Sequence, residues 1–257
     1  ALDRLCGELE VRGVHAAKDL LVDPAADPDS LRRTEVQQPL LVALQLALAE
    51  ALAQHAVVSN LLLGHSAGEI TAAVLAGVLS EAEAMDLAVL RGEAMAAVPP
   101  GAMIACRASA SELAEILAAC PTWRVAAFNE PSAVVLAGAE TEAERLLMLS
   151  AEAGLPARRL SVNHAFHTPA VAEAVEVLRD VGANFVGRQP ERTWISSFTG
   201  RPVEEISADY WVSHAIQPVR FGDALACAGG SGLGLAVELG VRTLTGAALR
   251  ILPESTC

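Results

Sequence analysis

The sequence predicts an α/β fold with a small inserted subdomain, on three observations. A short apolar run at residues 57–63 stops at Gly64 and gives way to the helical pattern of residues 69–76, the order of a buried strand, a tight turn and a helix. Residues 103–162 break into short elements in the order strand, helix, strand, strand, helix, strand. A helical stretch follows from residue 169, so the larger α/β body resumes after the insertion.

Taken in order, residues 1–10 read as amphipathic helix, with Leu2, Leu5 and Leu9 at helical spacing. An α/β domain often opens with a strand, so the chain is expected to start in mid-domain. A Pro- and Asp-rich loop covers residues 23–33. Gln38-Pro39 then opens a largely buried helix ending near His55, with Leu41, Leu44, Leu48 and Leu52 at spacings of three and four. A further helix, residues 80–95, starts with Ser80 and Glu83 in capping-box spacing.

The inserted unit reads as strands 103–107, 123–128, 133–137 and 157–162 with helices 111–119 and 141–153, the βαββαβ order of a ferredoxin-like subdomain. Its bounds are set at 101–163, leaving 1–100 and 164–257 to the body. There the pattern predicts a helix at 169–181, a strand at 193–198, a short helix at 210–214 and a strand then a helix over 235–251. The Gly-rich stretch 229–234 reads as a loop, because neither lysine nor Gly-x-Gly-x-x-Gly spacing accompanies it.

Composition excludes several function classes. The 257 residues are 53% hydrophobic and carry 18 basic against 31 acidic side chains, a net charge of −13. Lys18 is the single lysine, so there is no basic stripe for a nucleic-acid backbone. Apolar runs of about ten residues fall short of the ~20 that a membrane span needs. No basic segment with an apolar stretch and cleavage site marks a signal peptide. The five cysteines are odd in number and form no Cys-x-x-Cys pair, which fits a reducing cytoplasm and suggests neither a disulfide framework nor a zinc site.

The chemistry concentrates in Gly64-His65-Ser66-Ala67-Gly68, a Gly-x-Ser-x-Gly between a predicted strand and a predicted helix. Such a corner brings the backbone close to itself and lifts the serine hydroxyl into the open; Gly64 and Gly68 are expected to supply the room. The helix N-terminus points at Ser66, and the Ala67 amide is placed to donate to an oxyanion. Serine needs a base within reach, and histidine has the right pKa. His15, His55 and His214 lack a second histidine nearby and read as ordinary surface or core residues. His164 and His167 lie together where the inserted unit returns to the body, in a segment expected to line a cleft, and spacing alone does not choose between them. No carboxylate adjoins them, so the group orienting the imidazole is distant, absent or a backbone carbonyl.

Gly64-His-Ser-Ala-Gly-Glu69 and Asn163-His-Ala-Phe-His-Thr168 resemble the acyltransferase domains of modular polyketide synthases and the related malonyl-CoA:acyl carrier protein transacylases. The resemblance extends over Gln38-Pro39, Leu90-Arg91-Gly92, Asn129-Glu-Pro131, Val135-Leu-Ala-Gly138 and Gln217-Pro-Val-Arg-Phe221. It implies an α/β-hydrolase-like body with an inserted ferredoxin-like subdomain. It also implies Ser66 as nucleophile, the Ala67 amide in the oxyanion hole and His167 as general base and acid. Arg91, 25 residues after Ser66, would hold the malonyl carboxylate, a task suited to a planar guanidinium. His65, His164, Phe166 and Asn129 would line or shape the acyl site, and the His-Ala-Phe-His form goes with malonyl rather than methylmalonyl units.

The implied activity moves malonyl from coenzyme A to the phosphopantetheine thiol of an acyl carrier protein, in polyketide or fatty acid biosynthesis beside neighbouring synthase domains, with no metal or redox cofactor. Alternatives are a serine hydrolase or editing thioesterase on the same Ser66 and His167, and an inactive interaction domain. Family members begin with a strand leading to a Gly-Gln-Gly loop, whose glutamine serves the oxyanion hole; here that strand and donor are expected to be missing. The family's Glu-Val-Gly-Pro-Gly turn appears as Glu238-Leu-Gly-Val-Arg242 and is expected to be reshaped, and a terminal Cys257 without a closing element suggests a fragment. Arg158, Arg159 and Arg188 are candidate contacts for the anionic partners.

Overall fold

The computed structural model describes residues 1–231, 233, 235–240 and 243–252. Two helices, α1 (Leu2–Val11) and α2 (Ala17–Val22), precede α3 (Thr34–Gln54). The leucine spacing of α1 does what it predicts: Leu5 and Leu9 are fully buried. The third helix starts at Thr34, before the Gln38-Pro39 that the sequence suggests as its opening, so Pro39 lies inside it. With 21 residues, α3 is long and apolar enough to cross a membrane by length and composition alone, where the sequence reading expects no such segment. Its Leu40, Val42, Ala43 and Leu46 pack into the main core.

The strand β1 is confined to Leu61–Leu63, shorter than the expected 57–63, because Val57 and Val58 are exposed rather than buried. After the turn come α4 (Gly68–Leu75) and α5 (Glu81–Ala96), the latter opened by a complete Ser80–Glu83 capping box. Gly92 of α5 lets α3 approach closely: a Cβ there would lie 2.9 Å from the Glu35 Cα. That contact brings Arg91 beside Gln38.

The inserted unit contains β2 (Gly101–Cys106), α6 (Ala114–Ala119), β3 (Arg124–Glu130), β4 (Ala133–Ala139), α7 (Ala143–Glu152) and β5 (Ala157–Arg159). These strands form one antiparallel sheet in the order β3-β4-β2-β5, which is ferredoxin-like. Alternation along β2 and β4 sorts its two faces. Ala102, Ile104, Val134 and Leu136 meet Trp123, Ile116 and Leu146 on the outer side. Met103, Val135 and Ala137 meet Phe221, Leu225 and Ala248 on the side facing the body. Gly138 is required by Trp123, whose ring would lie 2.5 Å from a Cβ.

The expected helix at 169–181 is broken into a 3₁₀ turn at Pro169–Val171, α8 (Ala172–Val175) and α9 (Leu178–Gly182). Gly182 closes α9 and leads straight into a 3₁₀ turn at Ala183–Phe185; a Cβ on it would lie 2.4 Å from the Ala208 carbonyl oxygen. Two strands follow, β6 (Thr193–Ser196), parallel to β1, and β7 (Arg201–Pro202), antiparallel to β6. The remaining helices are α10 (Tyr210–Ile216), α11 (Phe221–Gly229) and α12 (Thr245–Ile251). The sequence pattern does not announce α11. Residues 235–240 form no strand of the kind expected there; Glu238 instead accepts the amides of Thr243, Leu244 and Thr245 at the start of α12. Gly232, Gly234, Val241, Arg242 and the closing residues through Cys257 lie outside the described residues, and so do the expectations that fall on them.

Candidate active site

The turn between β1 and α4 holds Ser66 in the left-handed region, at φ 51°. A side chain in that conformation is strained, and the surrounding contacts must enforce it. Gly64 shows how: a Cβ there would sit 2.3 Å from the Glu69 amide nitrogen and 2.4 Å from the Gly68 carbonyl. Gly68 corrects the expectation of two obligatory glycines, since a Cβ at that position would meet only the Gln45 side chain, at 3.7 Å. Beyond the serine, the amides of Gly68, Glu69 and Ile70 donate back to the His65, Ser66 and Ala67 carbonyls. The Ala67 amide makes no hydrogen bond among the described residues and is free to bind a developing negative charge.

Of the two histidines that spacing leaves open, His167 meets the serine. Its Nε2 lies 2.7 Å from the Ser66 Oγ. Its Nδ1 lies 3.0 Å from the Gln217 carbonyl oxygen, which can only accept, so Nδ1 carries the proton and Nε2 is left to accept from the Ser66 hydroxyl. The orienting group is thus a backbone carbonyl, one of the three possibilities left open by the sequence. His167 also has left-handed backbone, at φ 56°. Burial above all, then the nearby charges of Arg91 and His65, hold its pKa down at about 3. Its resting form is the neutral imidazole.

Arg91 is 1% exposed, and its pKa is brought down to about 10 by burial, against the pull of Glu69. One terminal nitrogen donates to the Gln38 Oε1, and the other lies 3.4 Å from the Ser66 Oγ. Gln38 is in turn fixed by Thr34, 2.7 Å from its Nε2, and by the Met95 sulfur. The Arg91 Nε has no hydrogen-bond partner among the described residues. This cation faces the serine without a carboxylate in salt-bridge range among the described residues, an arrangement that invites an anionic ligand.

His65 Nε2 donates to the Asn129 Oδ1 at 2.9 Å, tying the turn to β3, and its ring meets Phe221 edge-on. A cavity of about 930 Å³ opens beside these groups, lined by His65, Ser66, Ala67, Arg91, Phe166 and His167 among others. Asn129 and His164 are not in its wall: Asn129 acts through His65, and His164 packs on Phe166 with ring centroids 5.7 Å apart. Two proposed partner contacts are engaged elsewhere, Arg159 with Glu140 and Arg188 with Glu83.

Sequence reasoning missed the layer beneath the pair. His214 is buried and its ring meets that of His167 edge-on at 6.0 Å. Glu69, fully buried, receives the Tyr210 hydroxyl at 2.7 Å and the Ser197 amide. A charged residue in the apolar first turn of α4 was the available signal.

An elbow serine with a histidine locked in its accepting tautomer, and a buried arginine beside the serine, make an arrangement that can form and pass on an acyl ester. The comparisons agree: residues 16–249 match the family model described as the acyl transferase domain, and the chain belongs to that family. It is 37% identical over 254 residues to the polyketide synthase GfsA of Streptomyces halstedii, covering 93% of this chain and 3% of that protein. Among solved structures, the acyltransferase domain from the second module of the salinomycin polyketide synthase has a TM-score of 0.89 at 35% identity, covering 98% of this chain and 59% of that one. Malonyl-CoA:acyl carrier protein transacylase from Xanthomonas oryzae pv. oryzae has a TM-score of 0.88 at 28% identity, covering 99% and 84%. The chain therefore spans a small part of its curated polyketide synthase relative and about three fifths of the salinomycin domain.

Proposed function

We propose that this chain takes a malonyl group from malonyl-CoA onto Ser66 and passes it to the phosphopantetheine thiol of an acyl carrier protein, in polyketide assembly in the cytoplasm. The observation that carries the reading is the Arg91 guanidinium 3.4 Å from a Ser66 hydroxyl that is itself 2.7 Å from His167. A general esterase gains nothing from a buried cation at that position, whereas a dicarboxylic thioester is both selected and oriented by it.

In the first half-reaction the Ser66 proton moves to His167 Nε2 as Oγ bonds to the thioester carbonyl carbon. The carbonyl oxygen becomes an oxyanion that the Ala67 amide stabilises. The C–S bond then breaks and His167 returns the proton to the departing coenzyme A sulfur. The second half-reaction runs the same steps in reverse order, with the carrier thiol as nucleophile. Gln217 keeps His167 in the required tautomer throughout, and His164 supports Phe166, whose ring in the cavity wall favours an unbranched malonyl unit.

The test is transfer of labelled malonyl from coenzyme A to a phosphopantetheinylated carrier protein. Label on the carrier that requires Ser66 supports the reading; malonate released to water with none on the carrier makes the protein a hydrolase instead.

A further inference from the structure

Beneath the Ser66–His167 pair lies a closed polar cluster that the transfer chemistry above does not use. Glu69 is fully buried, on the first turn of α4 just past the serine, and its amide donates to the Ser66 carbonyl at 2.9 Å. Its carboxylate crosses to β6 and α10. The Ser197 amide donates to Oε1 and the Tyr210 hydroxyl to Oε2, while the Ser196 Oγ lies 3.4 Å away. The Tyr210 hydroxyl also lies 2.7 Å from the Ser196 Oγ, which accepts the Phe198 amide, so hydroxyl, carboxylate and serine form one connected cluster.

Between this carboxylate and the dyad sits His214. Its Nε2 is 3.8 Å from the Glu69 Oε2, and it faces the Ser66 carbonyl without a formed hydrogen bond. Its ring stands edge-on to that of His167, at 6.0 Å. Arg91 and His65 both oppose a proton on His167. Acyl transfer nevertheless requires His167 to become an imidazolium in each half-reaction. Something must offset that opposition, and Glu69 is the acid buried at this site.

We propose that Glu69, through His214, is a positioning residue for His167: its carboxylate, held by Tyr210 and the Ser197 amide, stabilises the positive charge that His167 acquires when it takes the serine proton. The inference rests on the acyltransferase reading and deepens it. The groups facing the carboxylate are Tyr210 and His214 from α10, Ser196 and Ser197 from β6 and its turn, and Arg91 from α5; His167 and His65 complete the surrounding charges. Burial lifts the Glu69 carboxyl to about 7, against the hydrogen bonds that favour its charge. Support for the imidazolium is therefore expected to appear as pH rises through neutrality.

The experiment measures the single-turnover rate of Ser66 acylation by malonyl-CoA from about pH 5 to about pH 9, on the whole chain and on Glu69→Gln, Glu69→Asp and Tyr210→Phe, each checked for folding by thermal melting. The wild-type rate should rise through about pH 7. In Glu69→Gln, which keeps the shape but not the charge, the limb should vanish and the high-pH rate should fall roughly tenfold. Glu69→Asp should restore a limb. Tyr210→Phe removes a bond to the carboxylate, so its limb should move to higher pH, which a merely structural strut would not produce. A flat wild-type profile overturns the proposal, as does a folded Glu69→Gln with the wild-type limb, and either leaves the transferase reading standing. Absence of any Ser66 adduct brings down both. Should Glu69→Gln fail to fold, the wild-type and Tyr210→Phe profiles decide.

Discussion

The Nδ1 of His167 lies 3.0 Å from the Gln217 carbonyl oxygen, so the imidazole that faces Ser66 is oriented by backbone and not by a carboxylate. A carbonyl fixes the tautomer but brings no negative charge to favour protonation. Burial above all, then the charges of Arg91 and His65, outweigh the pull of that carbonyl and leave His167 neutral down to about pH 3, against 6.5 in an unfolded chain. Its folded pKa is depressed, so the unfolded state binds its proton first, and stability is lost as pH falls below about 6.5.

At about pH 5 this one group is worth about 2 kcal/mol of lost stability, and the lowered pKa values of half-buried His65 and buried His214 act in the same direction. Glu69 acts oppositely: its folded pKa is raised from 4.5 to about 7, so proton uptake there favours the fold as pH falls through that window. Because Glu69 opposes the imidazoles, the single-site comparison carries the prediction: between about pH 6.5 and about pH 4 the melting temperature is expected to fall more, or rise less, in the wild-type chain than in His167→Gln. An unchanged slope in that variant would contradict a buried neutral His167.

The two glycines of the elbow should behave differently. Gly64→Ala drives a Cβ into the backbone of Gly68 and Glu69 at 2.3–2.4 Å and should destabilise by several kcal/mol, on the order of 3, or prevent folding. Gly68→Ala meets only Gln45 at ordinary contact distance and should change stability by less than about 1 kcal/mol. Denaturant titration of both variants checks the contrast; equal losses would contradict the elbow geometry.

Arg91→Ala should lower kcat/KM for malonyl-CoA by about a hundredfold or more while affecting acetyl-CoA far less, because only the former presents a carboxylate. Gln38→Ala leaves the cation in place but releases the guanidinium from its Thr34–Gln38 support, and a smaller loss of about tenfold is expected. Parallel losses for both thioesters would show that Arg91 does not read the acyl carboxylate.

Asn129→Ala leaves the half-buried His65 Nε2 without its acceptor, at an expected loss of about 1–2 kcal/mol, with acylation of Ser66 reduced less than in any substitution of Arg91. Thermal melting beside acylation rates distinguishes this tie between turn and subdomain from a direct role in the reaction.

Much of this arrangement was legible in the chain because it is local. The elbow needs Gly64 against the backbone five residues on, the capping box of α5 spans Ser80 to Glu83, and the alternation along β2 and β4 sorts inner from outer faces within each strand. What escaped is what packing assembles from afar. Glu69, Ser196, Tyr210 and His214 come from three separate elements, and nothing in their spacing announces a shared proton network. The α11 helix was hidden by Gly222 and Gly229, low in helix propensity, although Gly222 is suited to the close approach of the Asn129 carbonyl, 3.2 Å from an added Cβ. The helix expected over 169–181 has the right apolar spacing, and Val171, Val175 and Leu178 are buried as it predicts, although the chain divides there into a 3₁₀ turn and two short helices.

The most direct measurement is intact-protein mass spectrometry after brief incubation with malonyl-CoA, comparing the whole chain with Ser66→Ala and Arg91→Ala. A gain of one malonyl group that is absent in Ser66→Ala and much reduced in Arg91→Ala is the predicted result. A folded wild-type chain without an adduct, or an adduct that persists in Ser66→Ala, would contradict an acyl-enzyme on Ser66.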